Sequence, residues 1–170
     1  MENEGGKADL KRARSYVLWL LARRDYPRRT LEEKLKKKEL SSSEIKTLLD
    51  ALSEDGLYRE DIFKKLRTRQ LIRQGYGPSL IKAKMSRDRV VPTNEELDAS
   101  YLDLDISQEA QLRHLIEKHS KRYANRGLNP RQFKQKLVQS LLRKGFSISL
   151  VLKALNEPPL EKTCEAVPKE

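Results

Sequence analysis

The stretch from Ile62 to Val90, IFKKLRTRQLIRQGYGPSLIKAKMSRDRV, decides the fold. Ile62, Phe63, Leu66 and Ile72 recur at helical spacing, and Gly75-Tyr76-Gly77-Pro78 then turns the chain. Pro78 suits the first position of a short helix carrying Ile81 and Met85. Gly77, standing before a proline, is expected in a backbone region costly for other residues. Nothing here alternates over a strand's length, so the segment reads as two helices joined by a tight turn.

Toward the N-terminus, Ala13, Val17, Leu20, Leu21 and Arg24 set one helical face. Asp25-Tyr26-Pro27 ends it, because a residue before proline is pushed out of the α region. Thr30 to Lys38 forms a short basic helix with Leu31 and Leu35 inward. Ser41-Ser42-Ser43-Glu44 caps a third helix bearing Ile45, Leu48, Leu49 and Leu52, closed by Gly56 in a left-handed position. Toward the C-terminus a weaker helix runs from about Thr93 to Leu102, and Leu112, Leu115, Ile116 and His119 line one face of the next. Asn129-Pro130 starts a helix through Leu137 and Leu141, and Phe146 leads into Val151, Ala154 and Leu155.

One spacing recurs along the chain: an apolar residue, another four later, a third five after that. Leu31, Leu35 and Leu40 obey it, as do Ile81, Met85 and Val90, and Leu137, Leu141 and Phe146, displaced by 50 and then 56 residues. This predicts three tandem three-helix units at 10–57, 58–106 and 107–156, with polar disordered tails at 1–9 and 157–170. Gly and Pro number only seven each in 170 residues, and the dominant Leu, Lys, Glu, Arg and Ala lose little on entering a helix. The fold class is therefore all-α. At 37% apolar residues the chain supports a thin core, which favours an elongated array.

Thirty-six Lys and Arg against 25 Asp and Glu give a net charge of +11, which suits a polyanionic partner. The charge is segregated. Residues 59–91 hold ten bases and three acids, residues 92–112 hold six acids and no base, and residues 113–144 hold ten bases and one acid. The acidic stretch is either a helix shielding its basic neighbours or a patch for a basic partner. Aromatic residues amount to 6%, and Tyr26, Tyr76 and Tyr123 fall at inter-helix turns, so base stacking is not expected as the main readout.

Parts for catalysis are scarce. His114 and His119 are five apart, on different faces of a helix, where a metal pair needs a spacing of four. Gly75-Tyr76-Gly77 lacks the third glycine and the strand of a dinucleotide fingerprint. Glu60-Asp61 and Glu95-Glu96 sit at helix starts, where the macrodipole explains them. The one cysteine, Cys164, offers no disulfide framework. No catalytic residue, cofactor or metal is assigned, and with neither signal peptide nor membrane span the expected location is the cytoplasm.

Gly56-Leu57, Phe63, Arg69 and above all Arg73-Gln74-Gly75-Tyr76-Gly77-Pro78, with Ile81 three residues on, resemble the central motif of the RecX family. The likeness extends to Arg24, Leu31 and Lys34-Leu35 before it and Leu142-Arg143-Lys144-Gly145-Phe146 after it, spanning about residues 13–155. It implies a curved, elongated molecule of three tandem three-helix units. It also implies a regulator that binds within the groove of the RecA filament on single-stranded DNA and inhibits ATP hydrolysis and strand exchange, in recombination, DNA repair and the SOS response. Some members of the family bind DNA themselves, so single-stranded and duplex DNA are both expected ligands, and a monomer suffices. Against the family pattern, Lys84 replaces an acid, Glu39 and Arg89 replace turn glycines, and Pro27 replaces a small hydroxyl residue.

The expected contact residues for RecA and DNA are Lys36, Lys37 and Lys38 in the first unit; Arg67, Arg69, Arg73, Lys82, Lys84 and Arg87 in the second; and Arg131, Lys134, Arg143 and Lys144 in the third. Gly75, Tyr76, Gly77 and Pro78 form the structural turn. Two other functions fit the same residues: a sequence-specific helix-turn-helix transcription factor, and a helical scaffold for acidic proteins.

Overall fold

Several helices start where the chain offers their first N–H groups a partner or needs none. Ser41 and Glu44 form a reciprocal capping box, as do Thr93 and Glu96. The Asn129 side chain accepts from the Gln132 N–H, and Pro78 and Pro130 stand at first-turn positions where a missing donor costs nothing. The computed structural model describes residues 4–124 and 129–156, and all their regular structure is helical. The order is α1 (Glu4–Leu21), α2 (Arg28–Lys36), α3 (Ser42–Glu54), α4 (Glu60–Arg73), α5 (Pro78–Ser86), α6 (Asn94–Asp103), α7 (Gln108–Ala124), α8 (Pro130–Arg143) and α9 (Ile148–Asn156).

The helices bury three separate cores, so the chain is an all-α array of units. Val17, Leu31, Leu35, Leu49 and Leu52 fill the first. Leu71, Ile72, Ile81, Met85, Leu97 and Tyr101 fill the second, and Leu112, Leu137, Leu141, Phe146 and Val151 the third.

The recurring spacing has a backbone cause. Leu35, Met85 and Leu141 each stand near the end of the second helix of a unit, and the chain then reverses through a left-handed residue: Glu39 (φ 65°), Arg89 (φ 59°) or Gly145 (φ 90°). The next residue is the third apolar one. In two units its N–H returns to the carbonyl five residues back, Val90 to Met85 at 3.2 Å and Phe146 to Leu141 at 3.5 Å. This is the Schellman closure, and it folds the apolar residue back over the last helical turn. Gly56, Gly75 and Asp105 close α3, α4 and α6 in the same way.

Several expectations need correction. α1 begins at Glu4, inside the stretch read as a tail, and ends at Leu21, so Arg24 lies outside it. α2 starts at Arg28 rather than Thr30. Leu66 is 49% exposed; the core face of α4 is Thr68, Leu71 and Ile72, while Phe63 and Leu66 border a cleft against Tyr26 and Pro27 of the first unit. A helix shared between two neighbours needs apolar residues on two faces, which blurs a single stripe. Tyr123 falls within α7 and not at a turn. The C-terminal tail and Cys164 lie outside the described residues.

Left-handed backbone at a residue with a Cβ costs about 1–2 kcal/mol, part of which glycine returns as unfolded-state entropy. Glu39→Gly and Arg89→Gly are each expected to raise stability by about 0.5–1 kcal/mol in denaturant melts. A loss in either variant would show that the side chain, and not the backbone, holds that turn.

Candidate functional site

A second internal repeat underlies the site. Leu71-Ile72-Arg73-Gln74-Gly75-Tyr76 at the end of α4 matches Leu141-Leu142-Arg143-Lys144-Gly145-Phe146 at the end of α8, 70 residues on, and Ser79-Leu80 matches Ser149-Leu150. The two turns meet in space. The Gly77 N–H donates to the Lys144 carbonyl at 2.7 Å, and the Ser79 N–H to the Gly145 carbonyl at 3.1 Å.

This contact corrects the reason for glycine at position 77. Its φ of −84° and ψ of 167° are extended backbone open to any residue. A Cβ there would instead lie 2.6 Å from the Gly145 carbonyl carbon and oxygen. Gly145 is constrained twice, by positive φ and because a Cβ would lie 2.3 Å from the Leu80 nitrogen. Behind the seam, the buried Tyr101 hydroxyl donates to Gln111 at 3.2 Å, and the Gln111 amide donates to the Ile72 carbonyl. Burial pushes the Tyr101 phenol well above its ordinary pKa.

The seam brings together expected contact residues of two units. Lys84 from α5 and Lys144 from the end of α8 place their ammonium groups 4.6 and 5.3 Å from the centroid of the half-buried Tyr76 ring. Two cations thus converge on one aromatic ring across a unit boundary, an arrangement suited to an anionic ligand. Gly75, against Leu115 of α7, fixes the start of the turn that carries Tyr76.

The remaining candidates are spread out. Arg69 is bound to Asp103 of α6, which also takes Lys65 at 2.9 Å, and Lys64 pairs with Glu96. The acidic stretch thus folds back on α4 and pairs with three of its five bases, the first of the two roles open to it. Arg67 donates to Gln70 at 2.7 Å and borders the cleft of about 490 Å³ between the first two units, while Lys82 donates to Asn94 at 2.6 Å. Arg73, Arg87 and Arg143 are exposed at helix ends. Arg131 and Lys134 are exposed near the start of α8, and Arg131 lies about 18 Å along the helix from Arg143 at 1.5 Å per residue. Lys36, Lys37 and Lys38 cluster at the end of α2.

Sequence reasoning missed the joint between the first two units. Pro27 gives α2 no side-chain cap, and Glu60 of α4 supplies one by accepting the Arg28 N–H at 3.0 Å and the Tyr58 hydroxyl at 3.2 Å. Arg28 in turn pairs with Asp50 at 2.7 Å and Glu32 at 3.2 Å. An acid in a first turn after an uncapped helix elsewhere is only a faint signal. The 70-residue repeat was the legible one. Among the described residues there is no cluster of metal-ligating side chains, and no helix is long and apolar enough to cross a membrane.

Comparison with known proteins gives a consistent set of likenesses. Residues 13–52 match the family model described as "RecX, first three-helix domain", and residues 107–155 match "RecX, third three-helix domain". The "Regulatory protein RecX" of Pseudomonas fluorescens (strain SBW25) is 30% identical over 133 residues, covering 72% of this chain and 84% of that protein. The protein of the same name from Acinetobacter baylyi is 26% identical over 143 residues, covering 84% and 86%. In fold, the chain is similar to the crystal structure of RecX from Lactobacillus salivarius, with a TM-score of 0.74 at 21% identity over 88% of this chain and 96% of that one.

Two outcomes test this geometry. Gly77→Ala is expected to cost about 1–3 kcal/mol in a denaturant melt, the range for forcing atoms into a packed site. Gly56→Ala, with nothing within 4 Å of the added carbon, should cost only the left-handed strain. The second concerns pH. The bonds from Lys64 to Glu96, and from Lys65 and Arg69 to Asp103, hold both carboxyls below the usual range. A depressed folded-state pKa gives stability that is present above the unfolded-state value, roughly 4, and lost as pH falls through the folded one. Thermal melts of the parent and of Glu96→Gln/Asp103→Asn should therefore differ at neutral pH, draw together as pH falls past about 4, and coincide only below the depressed folded-state values.

Proposed function

The chain belongs to the RecX family of regulatory proteins, and from that premise we propose that it binds the RecA filament on single-stranded DNA and suppresses ATP hydrolysis and strand exchange in recombination and repair. It acts in the cytoplasm as a monomer, by occupying the filament and not by catalysis. The observation that carries this reading is the seam, where Lys84, Lys144 and Tyr76 from two units are held together by backbone contacts.

A filament repeats phosphates and protein surface at fixed intervals. Units joined without slack can engage several of its subunits at once, and each further contact forms at high effective concentration. Free DNA offers only phosphates, so the filament is bound more tightly. Each cation that neutralises a phosphate releases counterions and makes the binding salt-sensitive. Arg69 contributes less, because Asp103 already holds it.

The parent protein is expected to suppress the recombinase's DNA-dependent ATP hydrolysis at concentrations below those that coat free DNA. Lys84→Glu/Lys144→Glu should raise the concentration for half-inhibition and flatten its salt dependence by about one unit of log–log slope for each phosphate that is no longer neutralised. Arg69→Gln should leave inhibition close to the parent's. Inhibition unchanged in the double variant would remove the seam from the interface, and no inhibition by the parent at any salt would remove the recombinase reading.

A further inference from the structure

Helix α1 meets its core with Ala13, Val17 and Leu20, which are almost fully buried. The adjoining stripe of the same helix carries Tyr16, half-buried against that core, and Trp19 about one turn on. Their ring centroids are 6.2 Å apart and their planes 17° from parallel. Trp19 is 50% exposed, far more than a packing role requires. Two cations just past the ends of two helices complete the patch. The Arg23 guanidinium lies 4.0 Å from the Trp19 ring centroid, and Lys38, just past α2, holds its ammonium 4.5 Å from that of Tyr16.

A single exposed aromatic residue is ordinary on a protein surface. Two near-parallel rings flanked by cations match something more specific: a polymer that alternates planar bases with phosphates. Duplex DNA keeps its base faces inside its own stack and would reach only the cations. An acidic peptide would leave the rings idle. We propose that Tyr16, Trp19, Arg23 and Lys38 form a base-stacking site for single-stranded nucleic acid on the first unit. This departs from the expectation drawn from the low aromatic content, since two rings suffice when the backbone holds them side by side on one helix. The proposal rests on the functional reading above only in taking nucleic acid as a ligand.

Trp19 is the only tryptophan of the chain, so its emission reports on this site alone. The full chain, with no recombinase present, is titrated with oligo-dT of about 16 nucleotides, an abasic strand of equal length and a blunt duplex. Tryptophan emission and the anisotropy of a labelled strand are followed together. Oligo-dT should quench Trp19 strongly in step with binding, whereas the abasic strand and the duplex, which reach only Arg23 and Lys38, should raise anisotropy with a much smaller change in emission. Trp19→Leu should weaken oligo-dT binding by about tenfold, the order of one lost stack, while duplex affinity stays within about twofold of the parent's and Trp19→Phe recovers most of the loss.

Oligo-dT binding without an emission change would overturn the proposal, as would equal weakening of single strand and duplex by Trp19→Leu. Tighter binding and stronger quenching by a Glu/Tyr copolymer would also overturn it, pointing to an acidic protein partner. Failure here is distinct from failure of the recombinase reading, which turns on ATP hydrolysis by a filament and uses no emission signal.

Discussion

Backbone groups at a helix end need partners, and between the second and third units they find each other. The N–H groups of Gly77 and Ser79, at the start of α5, meet the carbonyls of Lys144 and Gly145, at the end of α8. Donors without intrahelical partners are matched to acceptors without them, and the positive end of one helix dipole faces the negative end of another. This pairing forms only if two chain segments approach to a distance at which a Cβ has no room, so glycine stands at both 77 and 145. The positions of Tyr76, Lys84 and Lys144 all follow from this approach.

The joint between the first and second units solves the same problem by other means. There the orphan donor is the Arg28 N–H at the start of α2, and a carboxylate from α4 accepts it. Side chains reach further than backbone, so the two units stand apart enough to leave a cleft lined by Tyr26, Phe63, Leu66 and Arg67. One joint is thus backbone on backbone and tolerates no added atom. The other is a side-chain network: Glu60 accepts the Arg28 N–H, while the Arg28 guanidinium pairs with Glu32 and Asp50 of its own unit, pairs that salt screens.

Charge is distributed to match. The acidic α6 lies on α4 and takes Lys64, Lys65 and Arg69 out of play as free cations. Half-exposed pairs of this kind add modestly to stability. Their larger effect is to move the basic surplus away from α4, toward α5, the end of α8 and the first unit's α1–α2 face. A fold shared with relatives at 21–30% identity leaves room for such surface rearrangement, because the cores and the turn chemistry carry the architecture.

The sequence by itself determined the helical class, the succession of units and the starts of α3, α5, α6 and α8. Those features rest on local physics: the 3.6-residue period, side-chain caps such as Ser41 and Thr93, and left-handed residues such as Gly56 and Arg89 that close a turn within a few residues of themselves. It also marked Gly77 as special but assigned the wrong cause, since a forbidden φ is a local property and the approach of Gly145 is not. Only the tertiary structure decided which cations share a surface, that Arg69 is held by Asp103, that Glu60 caps a helix of another unit, and that Lys38 reaches the ring of Tyr16. Each of these joins residues 22 or more positions apart, where the separation in space is set by how whole helices pack and no periodicity along the chain records it.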